Sequence, residues 1–407
     1  MTMKNDFDII VIGAGPAGTI ASCKLMKEGF TVKILEKMEF PRFVIGESLL
    51  PHSMDYLDEL DLLKCIEDQK FQLKTGACFY HNEQRCDFLF KDQYTKGWDY
   101  TYQVKRADFD NALAKETEKK GADLEFNAEV LLVENGPAQQ KVKYLNAQKE
   151  EINITSRFVV DASGYGRVLP RMFDLEVKVP TPPRGAIFSH FDDSKRTEED
   201  GRNIFIHAFN NNTCWIWSIP FSDGSASVGI VGDASNITHY AENDGAGFKK
   251  MVADFPGLSG RYDNVEYKFE PRVILNYAVS VKQLYGEGYI LCGNSTEFLD
   301  PVFSSGVTLA ISSGYKAATI VSEHLKGENV NFEDYSIELK KGIDVFRSYV
   351  NGWYNGTLQT IFFSDKTNEV MKRQICSVLA GYVWDETNPF VKKHEKALST
   401  LVKIIEM

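Results

Sequence analysis

No stretch of this chain approaches the roughly 18–20 consecutive apolar residues that a membrane span requires. The first eight residues carry one lysine and two aspartates, and the apolar run Ile9–Ile12 ends at once in a glycine-rich turn, unlike a secretory leader. Cysteine is scarce and odd in number: seven residues at 23, 65, 78, 86, 214, 292 and 376 fit free thiols rather than a disulfide frame. There is no Cys-x-x-Cys pair and no His-Glu-x-x-His, and the seven histidines lack ligand spacing, so no metal centre is expected. Positive charge is in deficit. Lys plus Arg number 46 against 57 for Asp plus Glu, a net charge of −11 that repels phosphate backbones and argues against nucleic acid as a partner. What is present is ordinary globular composition, 43% hydrophobic and 25% charged over 407 residues, enough for two or three domains. The expectation is a cytoplasmic protein.

The pattern along the chain opens as βαβ. Asp6–Ile12 reads as a buried strand, Pro16–Gly29 as a helix with Ala17, Ile20, Ala21 and Leu25 on one face, and Thr31–Glu36 as a second strand. That order calls for a parallel sheet covered by helices. Segments 123–133, 140–146 and 149–160 read as further strands, the first two separated by Asn135-Gly136-Pro137. From about 181 to 280 the pattern becomes strand-rich and irregular. Gly288–Cys292 reads as another buried strand, Gly306 to about Leu325 as a long helix, and 331–407 as mostly helix rich in aromatic residues.

Between the first strand and helix stands Gly13-Ala14-Gly15-Pro16-Ala17-Gly18, a GxGxxG fingerprint. Gly13 makes the tight turn, Gly15 lets the backbone approach a pyrophosphate, and Gly18 permits close helix–strand packing. Pyrophosphate then sits at the helix N-terminus, where free N–H groups favour an anion. Glu36 closes the second strand, 18 residues past Gly18, where a carboxylate accepts from ribose hydroxyls, and Lys37 follows it. Thr19 stands where a Walker loop needs lysine, which excludes a nucleoside triphosphate site. FAD and NAD are not separated by the fingerprint.

Two later segments favour FAD. Phe158–Gly164, with Asp161 at the strand end, and Gly288–Pro301 both run a buried strand into a small-residue turn. Here the chain resembles the FAD-dependent oxidoreductases of the hydroxybenzoate-hydroxylase and geranylgeranyl-reductase superfamily, over residues 1 to about 325. The resemblance implies that Arg106 also contacts the flavin nucleotide and that Val130 holds the adenine through its backbone. It also implies a Rossmann-like, three-layer FAD-binding domain (1–175 and 281–326), an antiparallel β substrate-side layer (176–280) and a helical C-terminal region (327–407). One departure stands out. The usual Gly-Asp-Ala is Gly293-Asn294-Ser295 here, and Asn294 can still donate and accept towards the ribityl chain.

Within that superfamily three segments resemble flavin-dependent halogenases, in particular those acting on phenols and pyrroles. Trp215-Ile216-Trp217-Ser218-Ile219-Pro220 matches WxWxIP. Pro41–Pro51, with Arg42 and Ser48, resembles the stretch that lines the isoalloxazine. Asp300-Pro301-Val302-Phe303-Ser304-Ser305-Gly306-Val307 resembles the loop that binds chloride beside the flavin. Taken alone, Trp215, Trp217 and Ile219 also fit a strand with one core face. The halogenase resemblance implies that reduced flavin, oxygen and chloride or bromide give a hypohalous oxidant, which a buried lysine then holds. Lys74, in Phe71–Phe79, matches the family's lysine-bearing strand, and a desolvated lysine has a lowered pKa. Halide would sit at the backbone N–H groups of Ser305 and Gly306, although Gly306 also fits a plain helix cap.

Phe303 bears on the substrate, because tryptophan halogenases carry glutamate there. Phenylalanine points to an electron-rich aromatic such as a phenol or pyrrole, free or tethered to a carrier protein. No second GxGxxG for a nicotinamide occurs, which suits a separate flavin reductase. Two rivals stay open at this stage. One is an FAD-dependent monooxygenase, dehydrogenase or prenyl reductase without halide chemistry. The other is a flavin-bearing binding protein without turnover.

Overall fold

A computed structural model of the chain describes residues 5–407 apart from 82, 180, 181, 199, 259 and 264. Phe7–Ile12 lies at the centre of an eight-stranded sheet. Parallel neighbours flank it: Val32–Leu35 on one side, and Glu151–Asp161 on the other. Asp123–Glu125 and Tyr289–Leu291 extend the parallel set outwards. Ile9, Ile10, Val11, Ile34, Val159, Val160 and Ile290 are fully buried, as the unbroken apolar runs of a sheet covered on both faces require.

The helix Pro16–Lys27 starts with proline in its first turn and ends with Lys24 and Lys27, both favourable to its dipole. It packs on the long helix Ser305–Leu325 through a very close approach. A Cβ at Gly314 would lie 2.3 Å from the carbonyl oxygen of Ala17. The expected strand 123–133 is broken into Asp123–Glu125 and Glu129–Glu134. The second piece leaves the parallel sheet for an antiparallel ladder with Gln140–Leu145.

A second, seven-stranded sheet runs in the order 272–275, 184–192, 225–233, 214–220, 203–209, 76–81, 84–89. It is larger than the stretch 176–280, because the hairpin Gly76–His81/Gln84–Leu89 joins it, Gly76–His81 pairing parallel to Asn203–Phe209. Residue 181, where the change of pattern was expected, lies outside the described residues. The stretch 176–280 also holds a 20-residue helix, Ala234–Ala253, not foreseen among its glycines and asparagines. Ile237, Phe248 and Val252 of that helix cover one face of the sheet through Ile187, Ile216, Val228 and Ile230. The opposite face presents Ala186, Phe188, Trp215, Trp217 and Ile219 towards the first sheet and the C-terminal helices, among them Phe332–Tyr354 and Glu369–Leu379.

Candidate functional site

At the junction of the two sheets is a cavity of about 790 Å3. One end is formed by the fingerprint turn. Gly13, Gly15, Pro16, Ala17, Glu36, Lys37 and Val130 all line it. Gly13 adopts φ +100°, and Gly15 leaves the backbone open: a Cβ there would meet only Arg42 Nη2, at 3.7 Å. Gly18 does not reach the cavity. Its Cβ position lies 1.9 Å from the Gly13 carbonyl oxygen, so only hydrogen permits the helix to sit so close to the turn. Glu36 spends both oxygens on backbone, accepting from Ala14 N at 2.8 Å and Met38 N at 3.0 Å. It therefore shapes the turn, and lone pairs remain for a ribose.

The middle of the cavity carries Arg42 and Arg106. Both are anchored by Asp110: Arg106 through Nε at 2.8 Å and Nη2 at 2.9 Å, Arg42 through Nη1 at 2.9 Å. Arg106 Nη1 also donates to the carbonyl of Ile45 at 3.1 Å. Two cations thus share one buried carboxylate, leaving positive charge on the wall where a pyrophosphate or flavin carbonyl is to be held. Asp110 was missed by the sequence reading, although it follows Arg106 at the i,i+4 spacing of helical ion pairs.

Trp215, Trp217, Tyr277, Asn294, Ser304, Gly306 and Ser48 also line the cavity. Three expected cofactor or halide residues are placed differently. Asp161 is fully buried, and its carboxylate accepts from Ser163 N at 2.8 Å and Leu169 N at 2.7 Å, so it holds the turn rather than facing the cavity. Asp300 accepts from the hydroxyls of Tyr277 and Tyr354, both at 2.7 Å. Ser305 begins the helix Ser305–Leu325 but is buried beneath the wall that its neighbours Ser304 and Gly306 line. Pro220 ends the Trp strand in the core.

Lys74 lies in the strand Gln72–Lys74, only 1% exposed. Burial pulls its ammonium pKa down to about 7. Nζ donates to the Leu49 carbonyl at 2.8 Å and stands 5.5 Å from the centre of the Phe90 ring. The strand pairs antiparallel with Thr101–Gln103, matching Lys74 to Thr101 and Gln72 to Gln103, and Ser48 bridges Gln103 from the other edge. Alternation puts Ser48, Gln103, Thr101 and Lys74 on one face of this ribbon. Ser48 Oγ, Thr101 Oγ1 and both amide atoms of Gln103 are buried without a partner. Buried polar atoms of this kind call for water or a small polar guest. The face forms a polar file from the cavity, at Ser48, to Lys74, roughly 7 Å along the strand.

Beside Lys74, Phe90 belongs to an apolar cluster with Phe79, Phe88, Phe303, Tyr349, Trp353 and Phe362. Phe303 packs edge-on to Tyr349 and Trp353, ring centres 6.1 and 6.0 Å away. The Tyr349 hydroxyl and Trp353 Nε1 have no partner there. Sequence reading also missed the Glu47–His190 pair, 2.8 Å apart and buried, because its members are distant in the chain.

The residues fit a long dinucleotide cofactor: a glycine cradle at a helix N-terminus, an acidic residue closing the second strand, and paired arginines midway. The profile of the FAD binding domain family matches residues 6–338. The 1H-pyrrole-2-carbonyl-[peptidyl-carrier protein] chlorinase of Pseudomonas fluorescens is 28% identical over 406 residues, covering 93% of this chain and 90% of that one. The crystal structure of a flavoprotein/dehydrogenase from Cytophaga hutchinsonii superposes with a TM-score of 0.96 at 46% identity, covering 98% of this chain and 99% of the other. That of CmlS, a flavin-dependent halogenase, gives 0.80 at 26% identity, covering 99% of this chain and 72% of the other. No helix among the described residues is long and apolar enough to cross a membrane.

Proposed function

Because the chain belongs to the FAD-binding domain family, we propose that it is a flavin-dependent halogenase that chlorinates or brominates an electron-rich, phenol- or pyrrole-like aromatic. Bound FAD, reduced and then met by oxygen and halide, supplies a hypohalous oxidant. The observation that carries the reading is the setting of Lys74, a desolvated amine between a polar file from the cavity and an aromatic cluster.

The chain's own residues divide the work. Gly13, Gly15 and the helix N-terminus receive the pyrophosphate, and Arg42 and Arg106 hold negative charge beside it. The wall at Ser304–Gly306 takes the halide on helix N–H groups. Ser48, Gln103 and Thr101 guide the oxidant inward, and the apolar cluster excludes bulk water. At a pKa of about 7, Lys74 is substantially neutral near pH 7. Its free amine holds the oxidant, by hydrogen bond or as an N-haloamine formed with loss of water. Attack by the arene then gives aryl halide and returns the proton to the amine. Phe303 leaves no carboxylate at this end of the site, which suits a ring activated by its own heteroatom. The substrate is free or tethered to a carrier protein. The enzyme works in the cytoplasm with a separate flavin reductase.

The name of the Cytophaga relative keeps a dehydrogenase in view, but hydride transfer gives no use for an amine buried beyond the flavin cavity. Lys74→Ala separates the readings. It abolishes aryl bromination, while reduced flavin still reacts with oxygen and bromide and releases hypobromous acid to an added thioether trap. Retained aryl bromination removes Lys74 from the mechanism.

A further inference from the structure

The helix Phe332–Tyr354 ends on a side chain that reaches the back of the flavin cavity's wall. The Tyr354 hydroxyl donates to Asp300 Oδ2 at 2.7 Å and accepts from Trp215 Nε1 at 3.0 Å. Tyr277 donates to the same oxygen at 2.7 Å, and Asp300 Oδ1 accepts from the amide of Val302 at 3.3 Å. The Arg184 guanidinium lies 3.4 Å over the Tyr354 ring. Neither Asp300 nor Tyr354 lines the cavity, whereas Trp215, Tyr277, Pro301 and Ser304 do. One buried carboxylate is therefore held by hydroxyls from two elements, and it caps the turn whose next residues form the cavity wall.

That turn needs holding. Ser304 adopts φ +57°, a left-handed conformation that a non-glycine residue keeps only when its surroundings fix it. The helix Ser305–Leu325 starts at the next residue, so the aim of its first N–H groups follows the turn. We propose that Tyr354 is a positioning residue for the loop Asp300–Gly306, fixing its turn through Asp300 and thereby setting how tightly the cavity wall binds halide. The position of the loop stands on the geometry alone, and only the consequence for halide rests on the halogenase reading. Trp353, the preceding residue, covers the aromatic cluster, so one helix end sets both the roof of the aryl site and the wall of the flavin cavity.

The test uses Tyr354→Phe in the FAD-loaded enzyme, with Tyr277→Phe as a second variant in case the first fails to fold. Tyr285→Phe serves as control, since it removes an exposed hydroxyl that donates only to Glu333. Hydrogen exchange read by mass spectrometry should rise about tenfold for the 302–307 amides in the first two variants and nowhere else, the scale of one lost charge-assisted hydrogen bond. In Tyr354→Phe, which changes no side chain lining the cavity, the KM for bromide should rise by a similar factor, with kcat at saturating bromide within about twofold of wild type. Unchanged exchange at 302–307 in Tyr354→Phe, or in Tyr277→Phe should the first not fold, overturns the proposal. So does a fall in kcat with no change in bromide KM. Wild-type turnover indifferent to bromide would instead sink the halogenase reading, and the exchange result would still decide the role of Tyr354.

Discussion

Gly15 and Gly18 stand three residues apart in one fingerprint and answer to different physics. A side chain at Gly15 points into the cavity, with only Arg42 nearby, whereas one at Gly18 strikes the Gly13 backbone. Gly15→Val should leave the melting temperature of the cofactor-free protein nearly unchanged while weakening FAD binding by roughly 100-fold, about 2.7 kcal/mol. Gly18→Ala should lose the fold itself. Calorimetric melting and flavin titration on the two variants check both, and equal FAD affinity in Gly15→Val counts against the cradle. Lys74 was singled out by its flanking pattern, and its burial gives that choice a physical consequence. Below pH 7 the folded and unfolded chains both bind its proton, so the penalty of burying the charge is complete. Between 7 and 10.5 only the unfolded chain stays protonated, and stability recovers as pH rises. Lys74→Met should therefore raise the melting temperature most below pH 7, with the gain shrinking towards pH 10. Aryl halogenation by the wild type should fall below a pH of about 7, roughly tenfold per unit, as the free amine is lost. A flat pH profile there would show that the neutral amine is not the working form. Asp161 and Asp300 were expected at the cofactor and are seen to bond turn amides and tyrosine hydroxyls, because a strand-end carboxylate that binds a cofactor and one that caps a turn share the same sequence pattern.

Short elements were the least legible. The three-residue strands Gln72–Lys74 and Thr101–Gln103 have no periodicity to detect, and their pairing becomes evident only in the fold. The hairpin at 76–89 joins a sheet whose other strands begin about 95 residues later, a contact that local pattern cannot announce. Ala234–Ala253 was hidden by Gly245 and Gly247, which helix propensity disfavours and tertiary packing of Phe248 and Val252 overrides. The fingerprint helix, by contrast, carries its own start signal and apolar face and was read within two residues of its end. The ribbon also makes a prediction. Gln103→Leu removes two unpaired buried atoms, so stability should change by no more than about 1 kcal/mol. Lys74-dependent halogenation should nevertheless fall at least tenfold, with more oxidant escaping to solution, because an apolar plug interrupts the polar file. Comparing aryl halide formed with oxidant trapped tests this, and an undiminished ratio would remove the file from the route.

At the scale of the molecule the site belongs to no single segment. The cofactor cradle comes from the first sheet, the Trp wall from the second, Lys74 from a ribbon between them, and the aromatic roof from the C-terminal helices. The motifs of the first 325 residues marked three of these parts. The roof was read only as helix rich in aromatic residues, since Trp353 and Tyr349 at helical spacing look alike in a packing core or over a site. In the proposed function these parts pass a halogen from the flavin cavity to an aromatic by way of Lys74. The most direct test supplies the protein with FAD, a flavin reductase, NADH, oxygen, bromide and a simple activated phenol. Mass spectrometry then looks for the bromine isotope doublet in the phenol, with Lys74→Ala run alongside. The expected result is a doublet that vanishes in the variant. A doublet of equal strength without Lys74, or direct NADPH oxidation by the protein alone with no brominated product, would contradict it.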